Sequence, residues 1–297
     1  MAVPPGRDPA GIASRARDQP AGRARRGVGR VLDEAAGPKS ATGSATPPRG
    51  GSSPIEHREL LVRSDPSDLS DLVDARDRLA RIAELLAGRG DLRGVFPLIY
   101  HFGLSAVVAA RDGGRFRDPT WVERFDVAFA RRYLTDLHRY LRGDQPSPPW
   151  RAMYLRIDAG TAGVAGAAAN ALNAHLVNDL PQALHESRVR PHHVLDYQRL
   201  SSLIWDAAPA AVAAIRDAYG VDLAPMLGTG AATWPAEALA GARAATQERR
   251  FLAVTRAAFA HGIALVNPLA RPVVRWHISA QWCALAAVAA TFAPSTG

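Results

Sequence analysis

Apolar residues recur at helical spacing from about residue 68 onward. Leu69, Leu72, Val73, Leu79, Ile82, Leu85 and Leu86 fall on one face of a helix predicted over 68–88, which Gly88 and Gly90 close. A second helix is predicted from Phe96 to Arg111, with Pro97 in its first turn and Asp112, Gly113 and Gly114 as its stop. The third has a strong start, Asp118 as N-cap and Pro119 behind it, and runs to Leu141 before Gly143. Trp150 opens a long stretch that is almost wholly apolar from Thr161 to Val177, and Pro181 kinks or ends it. A helix that is apolar all round is a buried one. Pro191 and Pro209 open further helices to Trp205 and Tyr219, and 235–265 and about 272–292 supply the last two. Only Leu60–Val62 reads as a short extended piece. The fold class is therefore all-α, a single domain over 55–297 with seven to nine helices around a buried central helix.

Residues 1–54 break this pattern. They are rich in Gly, Pro, Ala, Ser and Arg without apolar periodicity, the composition of a disordered arm. The arm carries nine basic and four acidic side chains, +5 of the chain's +8, so the basic balance is mostly local. Nucleic acid is expected to bind weakly at most, through this arm. Arg25-Arg26 is followed by no apolar run, and the alanine-rich runs 161–177 and 280–293 fall short of the roughly 20 strongly apolar residues of a membrane span. A cytoplasmic location without a membrane span is the expectation. One cysteine, Cys283, excludes an intramolecular disulfide framework and a multi-cysteine zinc site. No Gly-rich phosphate loop follows a strand, so no nucleotide cofactor is indicated.

Polar residues on apolar faces carry the chemistry. On helix 119–142, successive residues turn by about 100°, which places Asp126 in the middle of the stripe of Phe125, Phe129, Tyr133 and Leu137. A carboxylate there must be paired, protonated or bound to a cation. His138 falls outside that stripe, at the surface. His175 and Asp179 stand four apart on one face of the buried helix, a spacing that suits convergence on one ion or a His–Asp hydrogen bond. In the next helix His193 and Asp196 point toward the core with Leu200 and Ile204. Four of the nine histidines fall between His175 and His193, a denser cluster than an even spread would give.

The segment Phe125-Asp126-Val127-Ala128-Phe129-Ala130-Arg131-Arg132-Tyr133 and the segment Asn173-Ala174-His175-Leu176-Val177-Asn178-Asp179-Leu180 resemble the two signatures of an uncharacterised family, domain of unknown function 5995. The resemblance runs over about 97–204 and more weakly to the C-terminus, leaves out the arm, and implies a helical fold with no assigned activity. The run His175-x3-Asp179-x5-His185 is also similar in spacing to that of the zinc-dependent phospholipase C and single-strand nuclease superfamily, all-α enzymes that hydrolyse phosphate esters.

Two readings follow. In the first the chain is a metal-dependent hydrolase of an ester or phosphoester on an unknown small-molecule substrate. Asp126, His175, Asp179 and Asp196 would hold a divalent zinc, manganese or iron ion, with His101 or His193 as further ligand or base. In the second it is a non-catalytic binding or scaffold protein whose buried His, Asp and Asn groups fix helix packing. A carboxylate-bridged di-iron site is disfavoured, because the core helices lack Glu-x-x-His pairs.

Overall fold

The computed structural model describes residues 53–227 and 236–289, so most of the predicted arm lies outside the described residues. Among the described residues there is no strand, and there are nine helices if the broken central helix counts once. They are α1 (Pro54–Ser64), α2 (Leu72–Ala87), α3 (Val95–Asp112), α4 (Pro119–Leu141), α5 (Pro148–Asp158), α6 (Val164–Asn173), α7 (Leu180–Glu186), α8 (Val194–Tyr219), α9 (Ala236–Ala264) and α10 (Arg271–Ala289). Helices α6 and α7 are joined without a break by a π-helical turn, Ala174–Asp179.

Aspartates cap two of the helix starts, Asp118 as predicted and Asp71 in addition. The Asp71 carboxylate accepts from the Asp74 amide at the start of α2, and the Asp118 carboxylate accepts from the Trp121 amide at the start of α4. The apolar faces of α2, α3 and α4 meet in one core, where Leu72, Leu79, Ile82, Leu104, Trp121 and Leu134 are buried. Helix α3 packs chiefly between α2 and α8, and α7 between α4 and α9. Two side chains tie the outer helices down: Tyr197 Oη donates to the Thr255 carbonyl at 2.7 Å, and Asn173 Nδ2 to the Trp282 carbonyl at 3.0 Å. Among the described residues one helical stretch, Leu92–Asp112, is long and apolar enough to cross a membrane by length and composition, and half of its most apolar window is buried in the fold.

Three elements differ from the sequence reading. Leu60–Val62 is helical within α1, where Pro54 occupies the first turn and Leu60 packs into the core. The stretch opening at Trp150 is split, because Gly160 takes a left-handed conformation (φ +66°) that ends α5. Pro209, by contrast, does not divide α8. Burial of Leu203 before it and of Ala211 and Ile215 after it holds both halves in one helix, although the proline gives the Trp205 carbonyl no amide partner.

Candidate functional site

The π turn puts His175 and Asp179 side by side, 3% and 1% exposed. His175 Nδ1 donates to Asp179 Oδ2 at 3.2 Å, and that oxygen also accepts from Trp150 Nε1 at 2.8 Å. Asn178 Nδ2 donates to Asp179 Oδ1 at 2.8 Å. The carboxylate is thus held by three donors from two elements. Around the imidazole stand Phe129, stacked at 3.6 Å between centroids, Tyr100 at 4.6 Å and Phe96 at 4.9 Å. Burial lowers the His175 pKa, and the neighbouring Asp179 only partly opposes it. The imidazole is therefore neutral near pH 7, with its proton on Nδ1 and its Nε2 lone pair buried without a partner.

Asp126 lies where the α4 stripe put it, 1% exposed, between Phe125 and Phe129. Its Oδ2 has no hydrogen-bond partner, and burial, with Glu123 nearby, raises its pKa well above the ordinary carboxylate range. The Tyr100 phenol, itself buried and unpaired, feels both Asp126 and Asp179, and its pKa is raised by burial and then by these two charges. The Tyr100 ring thus stands edge-on to His175, within electrostatic reach of Asp126 and Asp179.

The other predicted residues are elsewhere. Asp196 uses both oxygens on the approach to α4, Oδ1 accepting from the Arg117 amide at 2.9 Å and Oδ2 from the Asp118 amide at 2.8 Å. His193 belongs to the same junction. Its Nδ1 accepts from the Arg190 amide at 3.0 Å, its Nε2 lies 3.5 Å from Asp118 Oδ2, and its ring stacks on Trp121 at 4.2 Å. His101 sits on another face, with Nδ1 3.2 Å from the Arg76 carbonyl. His138 is half-buried and its Nδ1 lies 3.1 Å from Ser64 Oγ. Asp126, His175, Asp179 and Asp196 therefore do not converge as a ligand set. Among the described residues no three His, Cys, Asp or Glu side chains are grouped to hold an ion. The oxygens of Asp196 and Asp179 accept N–H bonds from separate partners, at the start of α4 and in the central helix.

On its other side the central helix borders a hollow. Leu172 and Leu176 face away from the His–Asp pair into an apolar cavity of about 120 Å³ between α3, α6, α8 and α9. Small residues make the space: Gly103, Ala168, Ala207, Ala208 and Ala211 stand where larger side chains would fill it, with Ile204, Trp205 and Phe251 as walls. Among the described residues no charged side chain lines it. A second, more open hollow of about 300 Å³ shares Leu172, Leu176, Trp205 and Phe251 and adds Asn173, Gln247 and Arg250. Sequence patterning missed this feature, although the run Ala207-Ala208-Pro209-Ala210-Ala211 was its visible signal.

Fold and site together define an all-α protein with a sealed His–Asp pair and an apolar cavity behind it. A family model described as "Family of unknown function (DUF5995)" matches residues 72–256, more than half of the chain, and the chain belongs to that family. The match is wider than the two signature segments and reaches both walls of the cavity. Comparison with curated proteins and with solved structures finds no match.

Proposed function

We propose that this chain is a helical binding protein for an apolar small molecule, with the cavity between α3, α6, α8 and α9 as its site. The carrying observation is the apolar lining. A void walled by Ile99, Leu172, Ile204, Ala211 and Phe251 offers water no partner, and cavities of roughly 150 Å³ with such linings stay dry and take up small apolar molecules. The adjoining hollow lengthens the site toward Asn173, Gln247 and Arg250, so an elongated apolar molecule with a polar end suits it. In this reading the His175–Asp179–Trp150 network is a packing element: it pins the central helix to α5 and presents Leu172 and Leu176 to the cavity. The sealed imidazole supports a structural role better than a hydrolytic one, because Phe129, Tyr100 and Phe96 occupy the space a substrate would need.

The test is titration with a neutral fluorescent apolar probe, N-phenyl-1-naphthylamine. The wild type should bind it saturably, and Ala208→Leu, which fills the void, should weaken binding about tenfold or more while the helical circular dichroism stays unchanged. Absence of saturable binding in the wild type, or equal binding by both proteins, contradicts the reading.

A further inference from the structure

At the opposite end of α10 from Leu285, four basic side chains converge from three helices. Arg132 comes from α4, His185 from α7, and Arg271 and Arg275 from α10, around a small cavity of about 90 Å³ that Gln182, Glu186 and Leu265 complete. The groups that offset their charge are few. Arg132 Nη2 pairs with Glu186 Oε1 at 2.6 Å, while its Nε is buried without a partner. Arg271 Nε donates to the Leu265 carbonyl at 3.1 Å. Arg275 lines the same cavity and is exposed. His185 Nδ1 is buried and unpaired. Gln182 donates its Nε2 to the Asn178 carbonyl at 2.8 Å, which leaves its side-chain oxygen as a further neutral acceptor beside the Leu265 carbonyl.

Three guanidiniums against one carboxylate leave an excess of positive charge in a half-enclosed space. The imidazole registers it: burial lowers the His185 pKa, and Arg271, Arg275 and Arg132 lower it further, with only Glu186 acting the other way. Like charges gathered this way, with donors left unpaired, are stabilised by an anion that accepts from several sides. A carboxylate offers two oxygens in one plane, whereas a tetrahedral oxyanion offers three or four and suits guanidinium forks from different helices.

We infer that the Arg132–His185–Arg271–Arg275 cavity is a binding site for a phosphate monoester dianion. The site makes no use of the His175–Asp179 pair or of the apolar cavity and stands independently of both. The phosphate belongs either to a soluble molecule or to a lipid headgroup.

Calorimetric titration of the full chain with inorganic phosphate at pH 7 and low ionic strength tests it, with a parallel arm of phosphatidylcholine vesicles carrying phosphatidate. Saturable one-to-one binding of phosphate is expected. Arg275→Gln, a change at an exposed position, should weaken it about tenfold or more, as loss of a charge-assisted hydrogen bond does. Glu186→Gln should strengthen it several-fold, because the competing carboxylate is gone and Arg132 is freed. Vesicle binding that phosphate displaces assigns the monoester to a lipid, and phosphate binding without vesicle binding assigns it to a soluble molecule; both uphold the site. Failure of both ligands to bind, or equal affinity in the wild type and the two variants, overturns it.

Discussion

At Asp126 burial works against ionisation, and the consequence is measurable as a pH dependence. Its folded pKa is raised, so between the ordinary carboxylate range and that raised value the folded protein holds a proton that the unfolded chain has released. Stability contributed by the neutral acid is therefore lost as pH rises through this window, by at most about 1.4 kcal/mol per pH unit. Asp126→Asn mimics the protonated acid and removes the slope. Urea midpoints should show the variant more stable than the wild type at pH 8, with the margin narrowing toward pH 4. A variant that keeps the wild-type slope, or is less stable at pH 8, means that the carboxylate is ionised and engaged. His175 has the opposite sign. Its pKa is lowered, so the unfolded chain takes up a proton first and stability falls as pH drops below about 6.5. His175→Ala and Asp179→Ala should each cost about 3 kcal/mol, with a coupling of about 1 kcal/mol or more in the double variant. Dialysis against a chelator should leave the melting temperature unchanged; a drop reversed by zinc, manganese or iron would reinstate the metal reading.

Among the elements, the start of α4 shows how far sequence patterning reaches. Asp118, Pro119 and the stop after Leu141 were legible because cap and breaker are local signals. The inward direction of Asp196 was legible too, from helical phase. Its partners were not: the Arg117 and Asp118 amides lie nearly 80 residues earlier in the chain, and nothing local marks such a pairing. Asp196→Ala should therefore destabilise the fold by about 1–2 kcal/mol, since the Arg117 and Asp118 amides both lose their acceptor. The loss should show in thermal melting, and probe binding at 25 °C should survive; unchanged stability would remove Asp196 from this junction. The central helix teaches a related lesson. The four-residue spacing of His175 and Asp179 predicted their contact, but not the π turn that contains them. Turns of this kind are frequent at functional sites, and here the wide turn sits directly before Pro181, whose ring would crowd the preceding carbonyls of a regular helix.

On the scale of the whole molecule, a polar core and an apolar hollow share one helix as their partition. The polar side was readable because a carboxylate among aromatic residues is a visible conflict. The hollow is a missing volume, created by alanines and a glycine on α3, α6 and α8 that only the alanine run at 207–211 marks in the sequence. The anion cavity is half visible in the sequence: the histidine–aspartate run includes His185, but its neighbours in the fold are Arg132, Arg271 and Arg275. Binding of an apolar molecule to the native state alone must raise stability by mass action. Each methylene that enters the hollow adds about 0.8 kcal/mol until the space is full.

The most direct measurement of the central claim is the melting temperature across a homologous series of straight-chain alcohols at equal concentration. Melting temperature should rise with chain length, reach a maximum where the chain outgrows the hollow lined by Ala168, Ala211 and Phe251, and lose this dependence in Ala208→Leu. Melting temperatures that fall uniformly along the series, or that follow the same curve in the wild type and Ala208→Leu, would contradict it.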